Sequence, residues 1–211
     1  MTKALRKQLI DTAQAMNASG LNQGTSGNLS VRSENGMLIT PSGMNYDTMA
    51  VDDIVWMDFD GTSQGDRKPS TEWRFHAAIY QDRPEAQAVL HTHPESCTTL
   101  ACLGKNIPAF HYMVAVAGGK DIRCAAYATF GSLQLSENVI KALQNRKACL
   151  MAQHGLTCFE KDLPGALALA IEIEHLAAIY CSMLTIGEPD ILDDAEMETV
   201  LKKFSTYGKQ D

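Results

Sequence analysis

Apolar residues recur along this chain with two periods, and the changes of period mark its elements. Leu5, Leu9, Ile10, Ala13 and Met16 share one side of a helix over Lys3 to Met16, and Gly20 stops it. Leu21 to Asn28 is a polar loop. Leu29-Ser30-Val31-Arg32 alternates as a strand does, and Met37 to Thr40 is a second strand. Asn35-Gly36 between them signals a hairpin. Pro41-Ser42-Gly43 ends the second strand, and Ile54 to Asp58 predicts a third, followed by a turn at Asp60-Gly61. Trp73, Ala77 and Tyr80 predict a helix over Glu72 to Tyr80, with Ser70 or Thr71 as its N-cap. Ala88 to Thr92 is a strand, and Pro94 ends the run. Helices are predicted from about Glu95 to Leu103 and from Gly131 to Leu143. Ala148 to Ala152 reads as a buried strand that leads through Thr157-Cys158-Phe159 to a long helix from about Pro164 to Leu184. Asp193 to Phe204 is the last helix. These elements predict an α/β fold: a layered α/β/α arrangement with a central mixed, largely antiparallel sheet flanked by helices. One domain is expected over residues 1–211, with a mobile tail from about residue 204. The regular strand–helix alternation of a dinucleotide-binding fold is missing. Gly24 to Gly27 is not followed by the Gly-Lys-Ser/Thr of a nucleotide-binding loop.

Composition narrows the function classes. The net charge is −7 and no basic cluster stands out, which argues against nucleic-acid and anionic-membrane partners. A phosphorylated substrate would be repelled at long range, so a phosphate site must rely on local donors and a metal. None of the six cysteines forms a Cys-x-x-Cys pair, and free buried thiols are expected. The basic start of the chain is not followed by an apolar signal core. No run is expected to cross a membrane, because the best candidate, Gly165 to Gly187, is interrupted by Glu172, Glu174 and His175. A cytoplasmic location is the default.

The candidate chemistry lies in Glu72, His91, His93 and His154. Three imidazoles and a carboxylate are a ligand set that suits a divalent zinc ion. In a strand, residues two apart share a face, so His91 and His93 can reach one ion. His154 follows a second apolar strand and precedes Gly155, so the two strands look like neighbours in one sheet. The plain alternative is a set of polar residues at strand ends. Three polar segments, Gly24 to Asn28, Thr40 to Gly43 and Ser70-Thr71, could hold an anion, because glycines admit close approach of backbone N–H groups and hydroxyls add donors. Each by itself is more often just a turn. Ser70-Thr71 adjoins Glu72, which would bring an anion within one substrate length of the metal.

Gly24-Thr25-Ser26-Gly27-Asn28-Leu29-Ser30, Thr40-Pro41-Ser42-Gly43, Ser70-Thr71-Glu72, His91-Thr92-His93-Pro94 and Gln153-His154-Gly155 together resemble, in order, the motifs of the class II aldolase/adducin family. The resemblance extends over nearly the whole chain, including His111-Tyr112-Met113 and the stretch Lys203 to Gly208. It implies one Zn2+ per subunit on His91, His93 and His154, with Glu72 as a fourth ligand that leaves the metal to act as base. It implies a phosphate pocket of Thr25, Gly27, Asn28, Ser42, Gly43, Ser70 and Thr71. Tyr112 matches a tyrosine that protonates the aldehyde-derived oxygen, Phe130 a residue beside the aldehyde, and Tyr207 a catalytic residue of the C-terminal tail. The implied reaction is reversible cleavage of L-fuculose 1-phosphate, or a close ketose 1-phosphate, to dihydroxyacetone phosphate and L-lactaldehyde. The implied assembly is a homotetramer with sites between subunits. No lysine is marked out for Schiff-base chemistry.

Three other readings use the same residues. A ribulose-5-phosphate 4-epimerase shares the fold, but resembles this chain with aspartate where Glu72 stands. A methylthioribulose-1-phosphate dehydratase shares zinc and a glutamate. A non-catalytic adducin-like interaction module needs no metal ligands. His76, one helical turn after Glu72, reads as a structural or supporting histidine, because the ligand set is full without it; His111 and His175 read the same way.

Overall fold

The Asn35 turn and the Asn28–Val31 segment organise the largest element. A computed structural model describes residues 3–204 and residue 206. Eight strands form one sheet: β1 Asn28–Ser33, β2 Gly36–Ile39, β3 Val55–Asp58, β4 Ser63–Gln64, β5 Ala88–Thr92, β6 Arg123–Ala125, β7 Ala148–Met151 and β8 Gly155–Glu160. Their order is β4-β3-β2-β1-β5-β8-β7-β6. Every pairing is antiparallel except β6 with β7. Asn35 takes φ +54° in the β1–β2 turn, a left-handed conformation that asparagine tolerates. The mixed, largely antiparallel sheet is the one expected.

Among the described residues six α-helices cover the sheet: α1 Lys3–Ala18, α2 Trp73–Asp82, α3 Glu95–Cys102, α4 Leu133–Ala142, α5 Leu163–Ile186 and α6 Asp194–Phe204. Strand alternation sorts the core into two layers. Leu38, Ala88, Leu90, Leu150 and Leu156 face α1, α3 and α5. Met37, Ile39, Val89, Cys149 and Phe159 face α2 and α4. The period of two therefore turns His91 to the same side as Val89, toward α2, where Phe75 meets its ring edge-on at 5.4 Å between centroids.

Several expectations change. β7 and β5 are not neighbours, since β8 lies between them. The cause is the tight turn Ala152–His154, which folds the chain straight back. β4 is two exposed residues and β6 three, both too short for a periodic signal. The turn of 3₁₀ helix at Tyr112–Ala117 was likewise not expected. Glu72, not Ser70 or Thr71, occupies the N-cap position of α2, and Ser70 Oγ accepts the Glu72 N–H at 3.3 Å. By length and composition α5 could cross a membrane, against the sequence expectation. It is a core helix: Ala166, Ala170, Ile173 and Ala177 are buried against the sheet. Glu174 does more than interrupt its apolar run. Its carboxylate accepts the Ser96 and Cys97 amides at 2.8 and 2.9 Å, satisfying the first turn of α3. The six cysteines are free, as expected; Cys97, Cys149 and Cys158 are buried, whereas Cys102 is exposed. Most of the tail, including Tyr207, lies outside the described residues.

Candidate metal centre and active site

The chain brings Glu72, His91, His93 and His154 together from the N-cap of α2, the end of β5, the residue just beyond β5, and the β7–β8 turn. One donor atom from each lies within 4.8 Å of all the others. Local backbone features set this up. Gln153 is held at φ +55° in the tight turn, and its N–H donates to Ala101 O at 3.0 Å, so His154 is presented from a tethered loop. Gly155 lets β8 pass close to His93: a Cβ there would stand 2.5 Å from Thr92 O and 2.7 Å from His93 Cδ2. Gly27 does the same for His91, whose carbonyl oxygen would lie 2.8 Å from an added Cβ.

Hydrogen bonds then fix the donor atoms. His91 is fully buried and its Nδ1–H donates to Leu156 O at 2.9 Å, which leaves the Nε2 lone pair free to bind. His91 Nε2 lies 3.1 Å from Glu72 Oε2, and His154 Nε2 lies 3.3 Å from Glu72 Oε1. Burial alone would raise the Glu72 carboxyl. The His91 and His154 rings and the Asn28 amide outweigh it and hold Glu72 down at about 2. Burial, reinforced by mutual repulsion with His91, lowers His93 to about 3 and His154 to about 4. At neutral pH the site thus offers an ionised Glu72 carboxylate and neutral His93 and His154 rings, the state a metal ion requires of them.

The residues fit a divalent cation on three grounds. His91 Nε2 and His93 Nε2 face one another at 2.8 Å. Glu72 Oε1 is buried without a hydrogen-bond partner. The donor set, three imidazoles and one carboxylate, is the chemistry such an ion prefers.

The three polar segments meet beside this cluster. Leu29 N donates to Thr40 Oγ1 at 3.2 Å, and Ser70 N to Thr40 O at 3.0 Å. Ser42 N donates to Lys68 O at 3.0 Å, across the Pro41–Pro69 bridge. The Ser42 and Ser70 amides are therefore committed, and hydroxyls become the first donors to an anion there. Gly43 is left-handed at φ +65°. A cavity of about 360 Å³ opens onto Glu72, His93 and His154. Thr71 lines it, and so does Ser26 in place of the expected Thr25. Thr25, Ser42 and Gly43 are exposed at the surface beyond the lining. The Asn28 side chain is buried and turned away from solvent, donating to Glu72 Oε2 at 3.1 Å.

The other wall is aromatic. Phe130, expected there, is joined by Tyr127 and Ala128, which carry no local sequence signal, and by Gln153, whose place beside His154 was the available clue. Gly131 at φ +72° lets this loop lie against Thr71, and its carbonyl accepts from Arg74 Nη1 at 3.1 Å. Tyr112 is not brought to this chain's cluster. It is half exposed and lines a separate cavity of about 620 Å³ with Phe110 and Phe204. His111 caps the 3₁₀ turn, its Nδ1 accepting Met113 N–H at 3.3 Å. Both His76 ring nitrogens are engaged, by Ser30 and Asn28, and burial, with some repulsion from His91, lowers it to about 3, so it is a neutral ring.

Residues 7–181 match the family model described as the class II aldolase and adducin N-terminal domain. A Rhodospirillum rubrum protein named 5-methylthioribulose-1-phosphate/5-deoxyribulose-1-phosphate aldolase is 54% identical over 97% of this chain and 93% of its own length. An Escherichia coli protein named L-fuculose phosphate aldolase is 51% identical over 97% of this chain and 95% of its own. Among solved structures, an L-fuculose 1-phosphate aldolase superposes with a TM-score of 0.94 at 41% identity, covering 97% of this chain and 98% of that one.

Proposed function

The chain belongs to the class II aldolase and adducin family and is a metal-dependent aldehyde-lyase; on that footing we propose that it cleaves L-fuculose 1-phosphate, or a close ketose 1-phosphate, to dihydroxyacetone phosphate and a short aldehyde. The observation that carries this reading is the four-residue cluster, three members of which line the floor of a cavity with hydroxyl donors on one wall and aromatic rings on the other. His91, His93 and His154 would hold a zinc ion, with Glu72 as the ligand that can leave. When bound, the ion supplies a Lewis-acid charge for the negative charge that cleavage leaves on the ketone fragment. Glu72 moves the proton at the carbon that becomes nucleophilic in the reverse direction. Thr71, Ser70 and Ser42 offer hydroxyls to the phosphate, with Gly27, Gly43 and Thr25 shaping the loops around it. With no cation among them, they bind it by oriented dipoles. Phe130 and Tyr127 face the aldehyde. Tyr112, which stands apart from this chain's own cluster, serves as proton donor in the site of a neighbouring copy, and Tyr207 is assigned to the tail that closes the site. Both assignments go with a homotetramer.

The identity of the aldehyde has a second reading. The Rhodospirillum relative is named for sugars whose cleavage between C3 and C4 leaves the same phosphate half but releases an aldehyde with a methylthio group or a bare methyl group. The non-catalytic reading falls, since the family relatives at about this identity are named as aldolases. A panel of L-fuculose 1-phosphate, 5-methylthioribulose 1-phosphate and 5-deoxyribulose 1-phosphate, compared by kcat/KM with the unphosphorylated sugars, tests the assignment. We expect chelator-sensitive cleavage of at least one phosphate ester and far slower cleavage of every unphosphorylated sugar. Equal kcat/KM with and without phosphate would contradict it.

A further inference from the structure

Resting on the reading of Glu72 as the base, we propose that His76 is its positioning residue: acting through Asn28, it fixes which oxygen of the carboxylate is held and which is free. The inference follows from donor and acceptor logic along one buried chain. An ionised carboxylate only accepts, so it is the Asn28 Nδ2–H that donates to Glu72 Oε2, at 3.1 Å. That turns Asn28 Oδ1 toward His76 Nε2, 2.6 Å away. A carbonyl oxygen also only accepts, so His76 carries its proton on Nε2. The neutral ring then has a bare Nδ1, which accepts the Ser30 hydroxyl at 2.7 Å. Ser30 Oγ in turn accepts the Tyr80 hydroxyl at 2.9 Å. One charge thus sets the direction of four successive hydrogen bonds.

The chain has no slack. Asn28, Ser30, His76 and Tyr80 are all buried, so a reversed link would leave a polar group unpaired out of reach of water. The Phe75 ring stacks on His76 at 4.6 Å and fixes its plane. The consequence falls on Glu72, whose two oxygens become unlike. Oε2 is anchored by Asn28, whereas Oε1 faces His154 Nε2 at 3.3 Å but makes no hydrogen bond within the protein. The anchored carboxylate keeps one oxygen free for proton transfer, and no rotation of Asn28 can block it.

The first test is nitrogen NMR of the metal-loaded protein with ¹⁵N-labelled histidine. We expect His76 to show a protonated Nε2 and a bare Nδ1; the opposite tautomer overturns the proposal without any variant. The second compares His76→Gln, which keeps a donor near the Nε2 position, with His76→Phe, which keeps the ring and its stack. His76→Phe should lower kcat about tenfold or more while KM and metal content stay near wild type, and His76→Gln should recover most of the loss. Wild-type kcat in His76→Phe, or equal losses in both variants, overturns the proposal. The Glu72→Gln variant separates the two layers. Near-normal turnover there would remove the base reading itself, whereas an inactive Glu72→Gln beside a fully active His76→Phe refutes the role of His76 alone.

Discussion

The two walls of the active cavity are built differently. At the floor, His91 is fully buried and Glu72 is 5% exposed, and both are tied: His91 Nδ1 to Leu156 O on β8 and Glu72 Oε2 to the Asn28 amide on β1. At the far wall, Tyr127 and Phe130 are 59% and 65% exposed on a loop held at its two ends, by Asn138 Nδ2 on Ala126 O and by Arg74 Nη1 on Gly131 O. On the proposed assignment the floor is preorganised for chemistry that every aldehyde shares, while the wall is a surface that small changes can reshape. Relatives at 54% and 51% identity are named for different ketose phosphates.

The sharpest way to break that comparison is at the floor. Glu72→Gln should retain metal through three histidines yet lose kcat on the order of 10²-fold or more, because an amide cannot accept the proton. Metal analysis and steady-state kinetics on one preparation check both halves, and turnover close to wild type would rule Glu72 out as base. Next comes Gly155→Ala. Its Cβ would stand 2.5 Å from Thr92 O and 2.7 Å from His93 Cδ2, so β8 must part from β5 or His93 must move. We expect metal affinity to fall about tenfold or more and stability to drop by about 1–3 kcal/mol, read by chelator competition and thermal unfolding. At the wall, Phe130→Ala should leave metal content intact and alter the kcat/KM ratio between two aldehyde partners by roughly tenfold. An unchanged ratio would remove Phe130 from the aldehyde side.

The smallest expected effect is on acid stability. His76, His93 and His154 are all depressed from the ordinary 6.5, to about 3, 3 and 4. The unfolded chain therefore binds more protons than the metal-free native protein once pH drops below about 6.5. The native state should lose stability as pH falls from there toward 4. Thermal melts of the metal-free protein should move down across that window, and a flat profile would mean that the rings are not held neutral.

Much of this was legible in advance where the signal is local. The Asn35-Gly36 hairpin, the His91–His93 spacing and the apolar face of α1 each depend on residues within one element. The place of His154 was legible only as the end of an apolar strand, since strand order is not written in either strand. Tyr127 and Ala128 carried no signal because they reach the cavity through a loop whose position depends on Gly131 meeting Thr71, far away in the chain.

The sequence by itself determined the donor types, three imidazoles and a carboxylate, and through its two hydrophobic periods the layers that would carry them. Only the tertiary structure decided which of those groups act together. It set β8 between β5 and β7, so that the β7–β8 turn delivers His154 to His91. It moved Asn28 from a phosphate loop to the side of Glu72, and it tied His76 to partners 46 and 48 residues away in sequence. The physical reason is range: periodicity and turn chemistry act over a few residues, whereas a buried hydrogen bond forms wherever packing excludes water and leaves a donor facing an acceptor.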